Sequence, residues 1–275
     1  MRRISTFTGV KNRYRTLRAN IGSWLNCPEI SEFIIVDWSS SDMGPAEHDY
    51  LSSLDPRIQM IRVTNKANYH IAAALNTAAA RTTGNWLLRL DVDYVINPYY
   101  NFFAAYQPTD QQFVTGDWTQ KYVDNECGFF EYINGLLYVS KDAFQSVGGY
   151  DERLTDYGWE DDNLYIRLID AGYERMIVDA AKSLIYHTPH GHNVRMANFQ
   201  EKNRQASWQR NWEISGRPEI IMEQVITPPK AIVGTDGTAC APTPPPIPRS
   251  KIVPPPEPPG SVTARMPGKF VPKNI

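Results

Sequence analysis

Trp86-Leu87-Leu88-Arg89-Leu90-Asp91-Val92-Asp93 sets two carboxylates directly after an apolar run, the pattern of a buried strand that leaves its sheet at an acidic end. Side chains at i and i+2 of an extended segment point the same way, so Asp91 and Asp93 are expected to face one ion or one metal-bound phosphate. Such oxygen donors suit Mg²⁺ or Mn²⁺, and an added imidazole tilts the choice toward Mn²⁺. Taken alone, the pair reads more readily as a solvated strand end than as a site. Two features downstream weigh against that: a second acidic cluster, Glu160-Asp161-Asp162, and a histidine-rich turn at His187, His190 and His192.

Upstream of the pair, strand and helix signals alternate. A short strand is expected over Arg3–Thr8 and a helix over Arg13–Leu25. The buried strand Phe33-Ile34-Ile35-Val36 then delivers Asp37 at its end, another strand covers Ile58–Val63, and an alanine-rich helix spans Tyr69–Arg81 with Gly84 to end it. A β-α-β order of this kind predicts an α/β fold whose largely parallel sheet holds its ligand beyond the carboxyl ends of the strands. Asp37 and Asp91 both fall there.

Downstream the pattern loosens into aromatic-rich stretches at 97–106 and 116–132, then a strand at Leu136–Val139 and a turn at Gly148-Gly149-Tyr150-Asp151. A helix is expected from about Trp159, with Leu164, Leu168 and Ile169 as its buried stripe and Gly172 at its close. Strands at Glu174–Val178 and Ser183–Tyr186 follow, the second ending on His187. The expected organisation is one domain over 1–226, in two halves, 1–95 and 96–226. From about Thr227 proline dominates, so 227–275 reads as an extended tail or linker that leads to a partner or a further domain.

With 275 residues and a formal charge of −2, the chain has a substantial core and no basic field for nucleic acid. The three cysteines, Cys27, Cys127 and Cys240, are scattered without C-x-x-C spacing, which reads as reduced thiols in a cytoplasmic setting. Arg2 and Arg3 are not followed by an apolar h-region, so no cleaved signal peptide is expected. No stretch is apolar enough to span a bilayer, and any membrane contact is expected to be peripheral, at the inner face.

The acidic triplet lies in the first turn of its helix, where one carboxylate would suffice as a cap. Three in succession repel one another and raise at least one pKa, which suits a general base. Trp159 beside them, read as exposed, offers its indole to the apolar face of a sugar ring. His187 and then His190 are the imidazoles placed to reach the aspartates. Lys11, Asn12 and Arg13, after the first strand, are placed to meet a diphosphate. Neither a P-loop nor a G-x-G-x-x-G occurs, which weakens kinase, ATPase and dehydrogenase readings.

So assembled, the chain resembles the GT-A glycosyltransferases, in the group that spans family 2 enzymes, the β-1,4-galactosyltransferases and the bacterial chondroitin polymerases. The likeness runs through Thr8-Gly9-Val10-Lys11-Asn12-Arg13, Phe33-Ile34-Ile35-Val36-Asp37-Trp38-Ser39, Ala74-Leu75-Asn76 and Asp91-Val92-Asp93. It continues in Asn134-Gly135, Gly148-Gly149-Tyr150-Asp151-Glu152, Gly158-Trp159-Glu160-Asp161-Asp162 and Tyr186-His187.

The resemblance implies a GT-A fold and metal-dependent, inverting transfer of a sugar from UDP to a saccharide hydroxyl, in polysaccharide or glycan synthesis. It implies Asp161 as catalytic base and Trp159, Glu160 and Asp162 on the acceptor side. Thr8, Lys11, Asn12, Arg13, Asp37, Asn76 and Asp91 are implied around the donor. Asp91, Asp93 and His187 would hold Mn²⁺ or Mg²⁺, with His190 as second choice. Two other readings stay open: an NDP-sugar nucleotidyltransferase, which would carry a glycine-rich basic loop near its N-terminus, and a non-catalytic saccharide-binding scaffold.

Overall fold

The computed structural model describes residues 2–117, 132–179, 184–188, 190 and 196–216. The chain divides into two compact units, Met1–Lys230 and Ala231–Ile275, and every described residue belongs to the first. The proline-rich segment, His192 and most of the aromatic stretch at 116–132 lie outside the described residues.

Seven strands form the main sheet, in the order β3-β2-β1-β4-β7-β6-β8. They are β1 (Ile4–Val10), β2 (Ile30–Trp38), β3 (Ile58–Val63), β4 (Trp86–Arg89), β6 (Gln112–Thr115), β7 (Leu137–Ser140) and β8 (Glu174–Ile177). Strands β1 to β4 pair in parallel, and β7 alone runs against its neighbours, β4 and β6. A second, two-stranded antiparallel sheet joins β5 (Tyr94–Ile96) to β9 (Ile185–His187). The expectation of an α/β fold with a mostly parallel sheet is borne out.

Period-two alternation explains why the central strands read as continuous apolar runs. Phe33, Ile35 and Leu88 pack in one cluster with Leu17, Ile21 and Trp24 of α1 (Tyr14–Leu25) and Leu51 of α2 (Pro45–Leu54). Ile34, Val36 and Leu87 pack in the other, with α3 (Ile71–Arg81), α5 (Lys141–Ser146) and α6 (Glu160–Asp170). Each face of the sheet is therefore covered by helices, as parallel sheets require. A buried leucine or isoleucine in such a layer contributes about 1.5–3 kcal/mol. The alanines of α3 let it lie close to the sheet, and a Cβ on Gly9 of β1 would stand 2.8 Å from Ala74 Cβ.

Several elements had weak signals in the sequence. Helix α2 begins at Pro45, with Glu47 Oε2 accepting from the Gly44 N–H at 2.7 Å, a proline-first start that its low apolar content concealed. Strands β5 and β6, the single-turn α4 (Phe102–Ala105) and α5 are three to six residues long, too short to show a period. Helix α7 (Arg204–Ser215) starts at Asn203, whose side chain accepts from the N–H groups of Gln205 and Ala206.

Candidate active site

The carboxyl ends of β1 and β4 and the start of the antiparallel β7 meet at one edge of the sheet, since Phe7 pairs with Arg89 and Arg89 with Leu137. A cavity of about 360 Å³ opens there, lined among others by Arg13, Arg89, Asp91, Asp93, Asp161 and His187. Residues from both 1–95 and 96–226 line it.

Asp91-Val92-Asp93 is not extended. Residues 92–93 form a turn closed by the Tyr94 N–H donating to Asp91 O at 2.9 Å, so the two carboxylates do not leave one face of a strand as the spacing predicts. Helix α1 holds the turn from behind, with Asn20 Nδ2 on Val92 O at 3.0 Å and Trp24 Nε1 on Tyr94 O at 2.8 Å. The two aspartates part company. Asp91 turns to Arg89, whose Nε donates to it at 3.0 Å. Asp93 is carried to the histidines because β5 pairs Tyr94 with His187, and the Thr188 N–H closes on Asp93 O at 2.7 Å.

Asp93, His187 and His190 each offer one ligand atom, all within 4.8 Å of one another. His190 Nε2 lies 2.9 Å from Asp93 Oδ2 and 3.1 Å from Arg13 Nη2, and His187 Nε2 lies 3.5 Å from Asp93 Oδ1. Burial alone would raise the Asp93 pKa, but His187, His190 and Arg13 reverse it and hold the carboxyl well below its ordinary range. Asp93 Oδ1 is buried and accepts no hydrogen bond among the described residues. One imidazole nitrogen cannot both donate to Asp93 and accept from Arg13. A divalent cation beside the carboxylate and two imidazoles suits that donor set, and the mixture of oxygen and nitrogen favours Mn²⁺ over Mg²⁺. The geometric cluster thus contains His190 alongside Asp93 and His187, and Asp91 stands outside it.

Arg89 is the residue that sequence reading missed. It sits fully buried at the end of β4, within what had looked like an apolar run, and its guanidinium joins the two acidic clusters. Nη1 donates to Asp161 Oδ1 and, at 3.1 Å, to Tyr150 Oη, while Nη2 lies 3.7 Å from Glu160 Oε1. A charge inside a buried strand was the available signal, because lone buried arginines are rare and seek carboxylates. Gly135 lets the loop before β7 pass over this group, since a Cβ there would fall 2.6 Å from Asp91 Oδ2 and 3.0 Å from Arg89 Nη2.

Helix α6 presents Glu160, Asp161 and Asp162 in its first turn. Burial pushes Asp161 well above the usual carboxylate range, with Glu160, Asp91 and Asp162 adding to the effect and Arg89 opposing it. Glu160 is also raised by burial. Burial takes Asp162 up to about 6, against the pull of Arg175. Trp159 precedes them in the left-handed region, φ 73°. It is not the exposed platform expected: only 5% of it is accessible, its Nε1 donates to Ser215 Oγ, and it packs edge-on against Trp208. A sequence cannot show that a later helix covers an indole.

The other donor candidates are engaged elsewhere. Lys11 lines the cavity, yet its Nζ donates to the carbonyls of Trp38, Ser39 and Lys66 at 2.9–3.0 Å. Asn12 bonds Asn198 and Ser41, and Asn76 ties α3 to Tyr150 and Glu152. Asp37 is wholly buried, accepting from the Ser40 N–H at 2.8 Å and lying 2.9 Å from His48 Nε2. Thr8 is buried inside β1. Of the expected donor set, Lys11, Arg13 and Asp91 line the cavity.

A Rossmann-like parallel sheet that continues into a mixed half, with acids and histidines at the strand ends, defines the GT-A architecture. The family comparisons agree with it: the sequence model of glycosyl transferase family 2 matches residues 5–129, and that described as the N-terminal domain of galactosyltransferase matches 121–191. The resemblance stated from the motifs is borne out. Among solved structures, GalNAc-T7 with UDP, GalNAc and Mn²⁺ superposes with a TM-score of 0.57 at 12% identity, covering 78% of this chain and 47% of that one. A mannosyltransferase from Pyrobaculum calidifontis, in complex with GDP-Man and Mn²⁺, gives 0.53 at 16% identity over 71% of this chain and 60% of that one. The catalytic domain of Drosophila β1,4-galactosyltransferase 7 with xylobiose gives 0.53 at 12% identity, covering 79% and 80%. This chain thus spans about half the length of the first and three-fifths of the second. At these identities the superpositions show the fold. No curated protein sequence matches the chain.

Proposed function

We propose that the protein is a metal-dependent, inverting glycosyltransferase that moves a sugar from a UDP-sugar to a saccharide hydroxyl, in glycan or polysaccharide synthesis. The observation that carries the proposal is that one cavity is lined both by the Asp93–His187–His190 cluster and by the buried Asp161. The bound neighbours of similar fold, which hold UDP or GDP-Man with Mn²⁺, support a nucleotide-sugar donor.

Asp93, His187 and His190 would hold Mn²⁺, which supplies Lewis-acid neutralisation of the departing diphosphate. Arg13, beside that cluster, adds a fixed positive charge for the same phosphates. Asp91, anchored by Arg89 and lining the same cavity, is assigned to the donor side. Asp161 takes the proton of the acceptor hydroxyl as its oxygen attacks the anomeric carbon from the face opposite UDP, so configuration inverts. Burial raises its affinity for the proton it would take, and Arg89 holds the carboxylate in place. Glu160 and Asp162 are placed for acceptor hydroxyls.

A screen of UDP-sugars for Mn²⁺-dependent UDP release tests this reading without a known acceptor. At least one donor should turn over, and EDTA should abolish it. Absence of release from every donor, together with no UDP binding in calorimetry, would sink the transferase in favour of a scaffold.

A further inference from the structure

Helix α7 lies beyond both family-matched stretches, which end at residues 129 and 191, yet it is fastened to the loop that leads into the acidic first turn of α6. Ser207 Oγ donates to Tyr157 O at 2.9 Å, and Asn211 Nδ2 donates to Asp156 O at 3.0 Å and to Gly158 O at 2.7 Å. Ser215 Oγ accepts from Trp159 Nε1 at 3.0 Å. Four side-chain bonds over two and a half turns of helix make a rigid joint rather than a loose terminal segment.

The joint presents tryptophan. Trp212 stacks on Trp208 with ring planes 10° apart, Trp159 meets Trp208 edge-on at 5.2 Å between centroids, and Trp208 lines the cavity with Glu160, Asp161 and Asp162. An indole backed by a second indole loses little freedom on contact with a ligand. Beside carboxylates it offers the two things a pyranose needs, an apolar face for the ring C–H groups and acceptors for its hydroxyls. Trp159, which sequence alone made the platform, is the prop for this one.

We infer that Trp208 is the acceptor platform: a pyranoside ring stacks on its indole, and α7 thereby sets which saccharide presents its hydroxyl to Asp161. This rests on the transferase reading above. The substrate class is a neutral or acidic pyranoside with one continuous C–H face, and Trp208 is a specificity-determining residue, while Ser207, Asn211 and Ser215 position it.

Saturation-transfer NMR on the full chain with UDP and Mn²⁺ tests it, using methyl β-galactoside, methyl β-xyloside and methyl β-glucuronide as probes. Saturating the aromatic protons should light the ring C–H protons of at least one probe. Trp208→Ala should weaken that probe about five- to tenfold, the contribution of one stacked ring, and Trp208→Phe should keep most of the affinity. A Trp208→Ala chain that binds as the wild type does, or a Trp208→Phe chain no better than Trp208→Ala, overturns the platform, as does absence of saturation on all three probes. Saccharide contact without UDP release from any donor would instead overturn the transferase reading and leave the platform standing.

Discussion

Nη1 of Arg89, at the end of β4, donates to Oδ1 of Asp161, in the first turn of α6. The bond crosses from the half of the site that holds Asp91 to the half that holds the candidate base, and both partners are buried. Desolvation favours a neutral Asp161, and the guanidinium opposes that shift without cancelling it.

Asp161→Asn keeps the acceptor oxygen for Arg89 and removes the base. Transfer should fall by about 10²–10⁴-fold, the usual contribution of a general base, while UDP and Mn²⁺ binding in calorimetry stay within error of the wild type. Near-normal transfer would remove Asp161 from the mechanism.

Arg89→Met should be far worse for stability than for shape. It strands Asp91, Glu160 and Asp161 without their shared cation, a loss of about 3–5 kcal/mol for a broken buried pair. Burial already makes Glu160 and Asp161 bind protons more tightly when folded, and losing the opposing arginine strengthens this, so the folded variant gains on acidification. Urea midpoints should therefore lie furthest below the wild type near pH 8 and approach it near pH 5. A deficit independent of pH would mean that packing, not charge, is what Arg89 supplies.

The metal cluster separates the two aspartates of the opening motif. Asp93→Asn should raise the Mn²⁺ dissociation constant about tenfold or more, as should His187→Ala, because each removes an atom of the cluster. Asp91→Asn should cost less Mn²⁺ affinity and more stability, since Asp91 answers to Arg89. Isothermal titration with Mn²⁺ alone and with UDP present gives the ranking, and a larger metal defect in Asp91→Asn would reverse the assignment.

The fold was legible where period and length were strong: the apolar alternation of β1 to β4 and the stripes of α1, α3 and α6 all lie close to where the spacing puts them. The site was legible as a set of chemistries and less so as a set of partners. Which aspartate meets the histidines depends on the three-residue β5–β9 pairing, too short to leave a pattern. Lys11 and Asp37 looked like donor contacts because they follow strands, but carbonyls and a histidine take up their polar atoms. Arg89 hid among leucines, and Trp159 was covered by α7 from 45 residues further on. Each of these was settled by tertiary contacts that no local window contains.

Asp162 offers a test of the acidic turn by itself. Burial pushes its pKa up to about 6, above the ordinary aspartate value near ~4 expected in the unfolded chain. A carboxyl raised in this way contributes stability that is fully present below the unfolded value and is lost as pH climbs through the folded one. The loss between pH 4 and pH 7.5 is at most ~3 kcal/mol by linkage, and less because Asp162 is only partly enclosed. Asp162→Asn has no proton to lose, so its urea midpoint should overtake that of the wild type between pH 5 and pH 7 and stay above it at pH 8. Parallel pH profiles for the two proteins would show that Asp162 is solvated in the folded chain, and would withdraw it from the acceptor side of the cavity.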